Sequence, residues 1–214
     1  MKAPRIILMA LASVSLLFGG DLFAAQGEQQ AIAPEMVKVP GRNFEIGKYE
    51  VTQGQWRAVM GSDPVKLSSC GDNCPVEQVS WRDTQEFIDK LNSKTGKKYR
   101  LPMGDEWEYA CYGGKKSKYC GGDNIDELAW SNRNSEGKIH PVGQKQPNGY
   151  GLYDMSGNVD EWTDVCVEGD CAMRELRGGA WDDEPQFVLV PFRDRFIIEG
   201  RDEGHGFRLV RTLP

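Results

Sequence analysis

Six cysteines, at positions 70, 74, 111, 120, 166 and 171, constrain this chain more than any other feature. In an exported protein such residues bond to one another, because the compartment is oxidising. Their order suggests three local pairs, Cys70–Cys74, Cys111–Cys120 and Cys166–Cys171. Each closes a short polar loop, such as "CGDNC" or "CVEGDC". Bridges over loops this short sit at the low end of disulfide stabilisation, about 1–3 kcal/mol each. Structural zinc is the rival use, but the chain has no Cys-x-x-Cys pair, and thiolates oxidise outside the cytoplasm.

The N-terminus agrees with export. Lys2 and Arg5 give a positive start, Ile6 to Phe18 is almost wholly apolar, and Ala24 and Ala25 are small. This is the pattern of a secretory signal peptide over residues 1–24, followed by a polar linker at 25–35 and a domain at 36–214. An uncleaved anchor is the alternative, although the apolar stretch is short for a membrane span. No cysteine near the cleavage point offers a lipid attachment. The expected location is periplasmic or secreted, with no membrane span after cleavage.

The formal net charge of the chain is -6, and losing Lys2, Arg5 and Asp21 makes it one unit more negative. Nucleic-acid binding needs a basic surface, so an acidic chain argues against it. No basic amphipathic run suggests an anionic membrane surface either.

Local patterns then place the elements. "MVKVPGRNFEIGKYEVT" alternates apolar and polar residues around a Pro-Gly turn, which predicts two half-buried strands. Thr52 with Gln55, and Ser80 with Asp83, mark two helix starts. The first helix carries Trp56, Val59 and Met60 to Gly61; the second carries Trp81, Thr84, Phe87, Ile88 and Leu91. A third begins near Pro102, with Asp105 and Glu106 at its positive end, and runs to Gly113. From about 113 to 176 regular patterns fade, which predicts a long irregular region pinned by disulfides or a cation. The tail, from "ELRGGAW" onward, reads again as short strands.

Six stretches in order carry a family resemblance: "GKYEVTQGQW", "CPVEQVSW", "YRLPMGDEWEYA", "HPVGQKQPNGYGLYDMSGNVDEW", "LRGGAW" and "GFRLVR". Together they cover residues 36–211 and resemble the sulfatase-modifying-factor, or formylglycine-generating-enzyme, domain. The resemblance implies an α+β fold of the C-type-lectin-like kind, rich in irregular loops. It also implies a structural Ca²⁺ at "SGNVDEW". Gly157 and Val159 would offer backbone carbonyls, Asn158 its amide oxygen and Glu161 its carboxylate, which suits a hard cation. Asp160 stands where the family commonly has tryptophan. The alternative is a metal-free polar knot, with Asn158 and Glu161 hydrogen-bonded internally. Trp162 and Tyr153 are expected in the core.

The family's best-known members oxidise a substrate cysteine to formylglycine with O₂ and copper(I), held by two cysteines between the "RGG" turn and "GFR". Soft thiolates suit copper(I). Here that interval, residues 180–205, contains no cysteine, and Asp183 and Val188 fall where the thiolates would stand. A second branch holds iron with three histidines. This chain has two, His140 and His205. Neither a copper nor an iron site is expected, and no catalytic residue is assigned.

The resemblance places a functional surface at 181–205. There Asp182, Asp183, Glu184 and His205 accompany Phe187, Phe192, Arg193, Arg195 and Phe196. The apolar runs "FVLVPF" and "FII" are either core strands or an exposed binding patch. Aromatic and arginine residues suit the patch. The reading that follows is a non-catalytic module that binds a protein or a small ligand. The alternative is a metal-dependent oxidoreductase with a degenerate site.

Overall fold

The structure is a computed structural model and describes residues 32–64 and 70–213. The expected signal peptide and most of the expected linker lie outside the described residues. Ile32 and Glu35, at the end of that linker, are docked. Ile32 is buried in the main core, and the Glu35 carbonyl accepts the Lys48 N–H.

Three helices begin where the sequence places them, and the first and third also end there. In α1 (Gln53–Met60) the Thr52 side chain accepts the Gln55 N–H, and Gln55 returns the bond. Ser80 and Asp83 do the same for α2 (Trp81–Thr95). Such boxes satisfy amides that the first turn leaves unpaired. The third helix, α3 (Gly104–Tyr112), has no side-chain cap from Met103, although Glu106 accepts the Met103 N–H. A short α4 (Ile125–Leu128) follows.

The strands form two sheets of four. In the first, the order is β1 (Met36–Lys38), β2 (Phe44–Gly47), β8 (Val210–Thr212), β3 (Tyr99–Arg100), with antiparallel neighbours. In the second it is β6 (Asp194–Ile197), β5 (Asp170–Arg177), β4 (Asp160–Val167), β7 (His205–Gly206). Here β7 runs parallel to β4, with Asp160 opposite His205. This pairing carries the chain's end back beside the "SGNVDEW" turn.

The hairpin of β4 and β5 corrects the expectation of irregular chain up to 176. Asp160 to Thr163 is buried at every position, so no alternation shows there. The outer half, residues 164–167 and 170–173, is exposed or half-buried, so no buried face marks it in the sequence. The turn itself is Glu168-Gly169, both at positive φ, 51° and 81°. That is the geometry of the tight hairpin turn whose twist matches its strands.

All three disulfides form as expected: Cys70–Cys74, Cys111–Cys120 and Cys166–Cys171. The last clasps the hairpin near its tip. The main core gathers α1, α2 and the second sheet: Trp56 stacks on Phe87 at 5.4 Å, and Phe207 meets Phe87 edge-on at 5.3 Å. Trp162 is wholly buried in it, and its Nε1 donates to the Val79 carbonyl. Tyr153 is only half-buried and tilts against Tyr49. A second cluster packs α3 through Trp107 on Ile46, Leu152 and Met155. Among the described residues, no helix is long and apolar enough to cross a membrane.

Candidate functional site

The stretch from Ser156 to Trp162 folds as a buried polar turn. Gly157 sits at φ 78°, and a Cβ on it would stand 2.0 Å from the Trp130 carbonyl oxygen, so only glycine fits. Asn158 follows at φ 68°. Its Nδ2 donates to Glu50 Oε2 at 2.7 Å and to the His140 carbonyl at 3.2 Å. Its Oδ1 accepts the His140 N–H at 3.0 Å. The Val159 N–H donates to Glu50 Oε1 at 3.1 Å.

Glu161 is engaged just as fully. Arg208, from the "GFR" stretch, reaches both its oxygens with Nε at 2.7 and 2.8 Å and one with Nη2 at 2.6 Å. Trp107 Nε1 adds a bond at 2.6 Å. The donor set therefore does not fit calcium. The Asn158 and Glu161 side-chain oxygens meant for the ion are taken by N–H groups, and a guanidinium would stand beside a divalent cation. Among the described residues, no three His, Cys, Asp or Glu side chains are grouped to hold a metal. The arrangement is that of the hydrogen-bonded knot.

The knot has members that the sequence did not single out. Glu50 is buried, and burial, reinforced by Asp154 and Glu161, pushes its carboxyl well above the usual range. Asp154 Oδ2 accepts the Gly143 N–H at 2.7 Å, while its buried Oδ1 has no partner. Burial pushes the Asp154 carboxyl up to about 6. Three carboxyl groups thus surround one guanidinium. In the sequence only the isolated acids of "GKYEVT" and "GLYDM" hinted at this, and nothing local marks them as buried.

The surface at 181–205 is built differently. Asp183, expected from the resemblance near one copper-ligand position, accepts the Ala180 N–H on its Oδ2 at 2.8 Å and so caps its own turn. Val188, at the other, is wholly buried with Tyr119, Ile125, Leu128 and Ala129. His140 lies apart, stacked on Trp130 at 3.7 Å, with Nε2 2.7 Å from the Ser135 carbonyl.

Around Asp183 the chain gathers acid. Burial pushes the Asp183 carboxyl up, and Asp182, Asp194 and Asp202 act in the same direction. Asp160 lies beneath, its Oδ1 accepting the Gly179 N–H, and burial holds its carboxyl well above the usual range. His205 is 8% exposed, with Phe196 edge-on at 4.7 Å and Trp162 at 5.6 Å. Glu184 is exposed and bonded to Gln186. Strongly shifted titratable groups gathered in one place mark a candidate site. Asp194 and Asp202 were the members missed, since neither lies in a recognisable motif.

The apolar runs divide between the two readings. Val188 and Val190 point inward, whereas Phe187 is 36% exposed and stacks edge-on against half-buried Phe192 at 5.1 Å. Phe196 is half-buried against the main core. Arg193 is not free: it bridges Glu108 and Glu175. Arg195 pairs with Glu168. Phe196→Ala is expected to cost about 2 kcal/mol, less than the roughly 3–5 kcal/mol of a fully buried phenylalanine. Phe192→Ala should cost less than about 1 kcal/mol. Urea melts of both variants test this; equal, core-scale losses would put Phe192 in the core.

Comparison with known proteins agrees with this architecture. A family model described as the sulfatase-modifying factor enzyme 1-like domain matches residues 8–213. The chain is 33% identical to "Chaperone protein LppX" of Paenibacillus barcinonensis, over 79% of this chain and 80% of that protein. It is 37% identical to the bovine "Inactive C-alpha-formylglycine-generating enzyme 2", over 51% of this chain but only 39% of that protein. Among solved structures, Treponema denticola variable protein 1 superposes with a TM-score of 0.71 at 26% identity, covering 84% of this chain and 92% of that one. The α+β, C-type-lectin-like fold expected from the sequence is therefore the one observed. With a match over nearly its whole length, the chain belongs to the sulfatase-modifying factor enzyme 1-like domain family.

Proposed function

We propose that this chain is an exported, non-catalytic binding or accessory module whose ligand surface is residues 181–205. One observation carries the reading: of the two residues that the family resemblance sets near the copper thiolates, Asp183 caps its own turn and Val188 is a wholly buried hydrocarbon. Copper(I) needs soft ligands close together. All six cysteines are bonded in pairs elsewhere. Relatives whose names describe a chaperone and an inactive formylglycine-generating enzyme support a role without that chemistry. Three disulfides and the sequence of residues 1–24 support export.

Incubation with copper, O₂ and a cysteine-containing sulfatase peptide is expected to give no formylglycine by mass spectrometry. Formylglycine above the no-enzyme control would establish the alternative, an oxidoreductase with a degenerate site. It would also require a disulfide to open and supply thiolates.

A further inference from the structure

The acid on the 181–205 surface lacks a counter-charge. Asp182, Asp194 and Asp202 are exposed. The arginines of the segment are engaged by other acids: Arg193 by Glu108 and Glu175, Arg195 by Glu168, and Arg201 by Asp83. A one-signed field of this kind concentrates opposite charge at its surface.

Two of the carboxylates converge. At the point where a Cβ on Gly204 would stand, Asp202 Oδ1 is 3.6 Å away and Asp182 Oδ1 is 3.7 Å away. The Ala180 Cβ lies closer to that point, at 2.7 Å, and Asp202 Oδ1 already accepts the Gly204 N–H at 3.0 Å, so a cation would sit outside the turn and use the remaining lone pairs of the two neighbouring carboxylates.

His205 gives an independent sign of a missing partner. Its Nδ1 is buried and has no hydrogen-bond partner, although the residue is next to Gly204. A buried polar atom left unpaired is costly, and a donor from a ligand removes the cost. Desolvation holds the imidazole below its usual pKa, so the ring stays neutral and offers a lone pair. Asp202, Asp194 and Asp182 act on it in that order. Phe196 and Trp162 supply ring faces and edges beside it. Among the described residues, no three metal-ligating side chains are grouped here, which points to an organic cation.

We propose that this surface takes an ammonium or guanidinium group, held between Asp182 and Asp202 with Asp194 and His205 around it. The proposal rests on the reading of 181–205 as the ligand surface and names its ligand class. The group belongs either to a free small cation or to a lysine or arginine side chain of a polypeptide.

Agmatine and a hexalysine peptide serve as probes, titrated calorimetrically into the disulfide-bonded protein at physiological salt, where distant charges are screened beyond about 8 Å. Wild type is expected to bind at least one of them. Binding of agmatine identifies a small cation; binding of hexalysine alone identifies a polypeptide. The double variant Asp182→Asn, Asp202→Asn should weaken binding at least tenfold. A charge-matched control, Asp89→Asn with Glu127→Gln on exposed positions elsewhere, should stay within twofold. Equal losses in the two double variants, or no binding of either probe, would overturn the proposal. Hydrogen exchange over 181–205 with pools of basic, neutral and acidic ten-residue peptides separates it from the underlying reading. Protection by the basic pool alone supports the cation. Protection by the other pools overturns the cation and keeps the surface. No protection by any pool overturns both.

Discussion

Arg208→Ala should lower the unfolding free energy by about 3–5 kcal/mol, the usual cost of removing one partner from a buried ion pair. The Arg208 guanidinium is wholly buried. Besides Glu161 it donates to three carbonyls, those of Gly47, Tyr153 and Asp154, at 3.0, 2.9 and 3.2 Å. It therefore ties the end of β2, the turn before the knot and the start of β4 to one side chain. Truncation leaves those carbonyls unpaired and leaves Glu161 buried without its counter-charge, next to two further carboxyl groups. Arg208→Lys tests the geometry of the fork. An ammonium carries the charge but cannot reach a carboxylate and three carbonyls together, so a loss of about 2–4 kcal/mol is expected. Urea unfolding at neutral pH with the disulfides intact measures both. A loss under about 1 kcal/mol for Arg208→Ala would mean that the pair does not hold the knot.

The sequence made some parts of this fold legible and hid others, for physical reasons. Helix starts at Thr52 and Ser80 were readable because a cap is local: the side chain and the amide it satisfies lie three residues apart. The disulfides were readable because each pair closes a loop of a few residues. The hairpin from Asp160 to Arg177 was not. Its inner end is buried on both faces, and its turn, Glu168-Gly169, resembled one more polar loop. Within the knot, Asn158 and Glu161 stood out through the family pattern, but their partners Glu50 and Arg208 lie 108 and 47 residues away. Pairing at that distance is a property of the tertiary fold and leaves no periodic trace. The calcium expectation met the same limit, since the sequence shows which oxygens a turn can offer but not which cation already holds them. The acidic surface was half visible. Asp182 and Asp183 are adjacent, whereas Asp194 and Asp202 join them only because β6 and β7 flank the same sheet.

Asp154→Asn should raise stability at pH 7.5 by about 1–3 kcal/mol and flatten the pH dependence between about pH 4 and 6. The buried Oδ1 of Asp154 has no partner, and its carboxyl is pushed up to about 6 from an ordinary 3.8. Desolvation is the main cause, with Glu161 adding repulsion, while the Gly143 N–H and Arg208 oppose them. The folded state thus binds a proton more tightly than the unfolded chain does. Wherever the native state holds more protons, stability falls as pH rises. The favourable contribution is complete below about 3.8, shrinks between 3.8 and 6, and is gone above 6, where the folded protein carries an ionised, half-satisfied carboxylate. Asparagine keeps the acceptor for Gly143, carries no charge, and tolerates the left-handed backbone found at this position, φ 55°. Glu50 and Asp160 are shifted in the same direction and remain in the variant, so the slope attributable to Asp154 is the difference between the two proteins. Thermal or urea unfolding across pH 4 to 8 supplies that difference. Parallel curves for wild type and Asp154→Asn would show that Asp154 does not titrate in this window, and that an unseen donor already satisfies Oδ1.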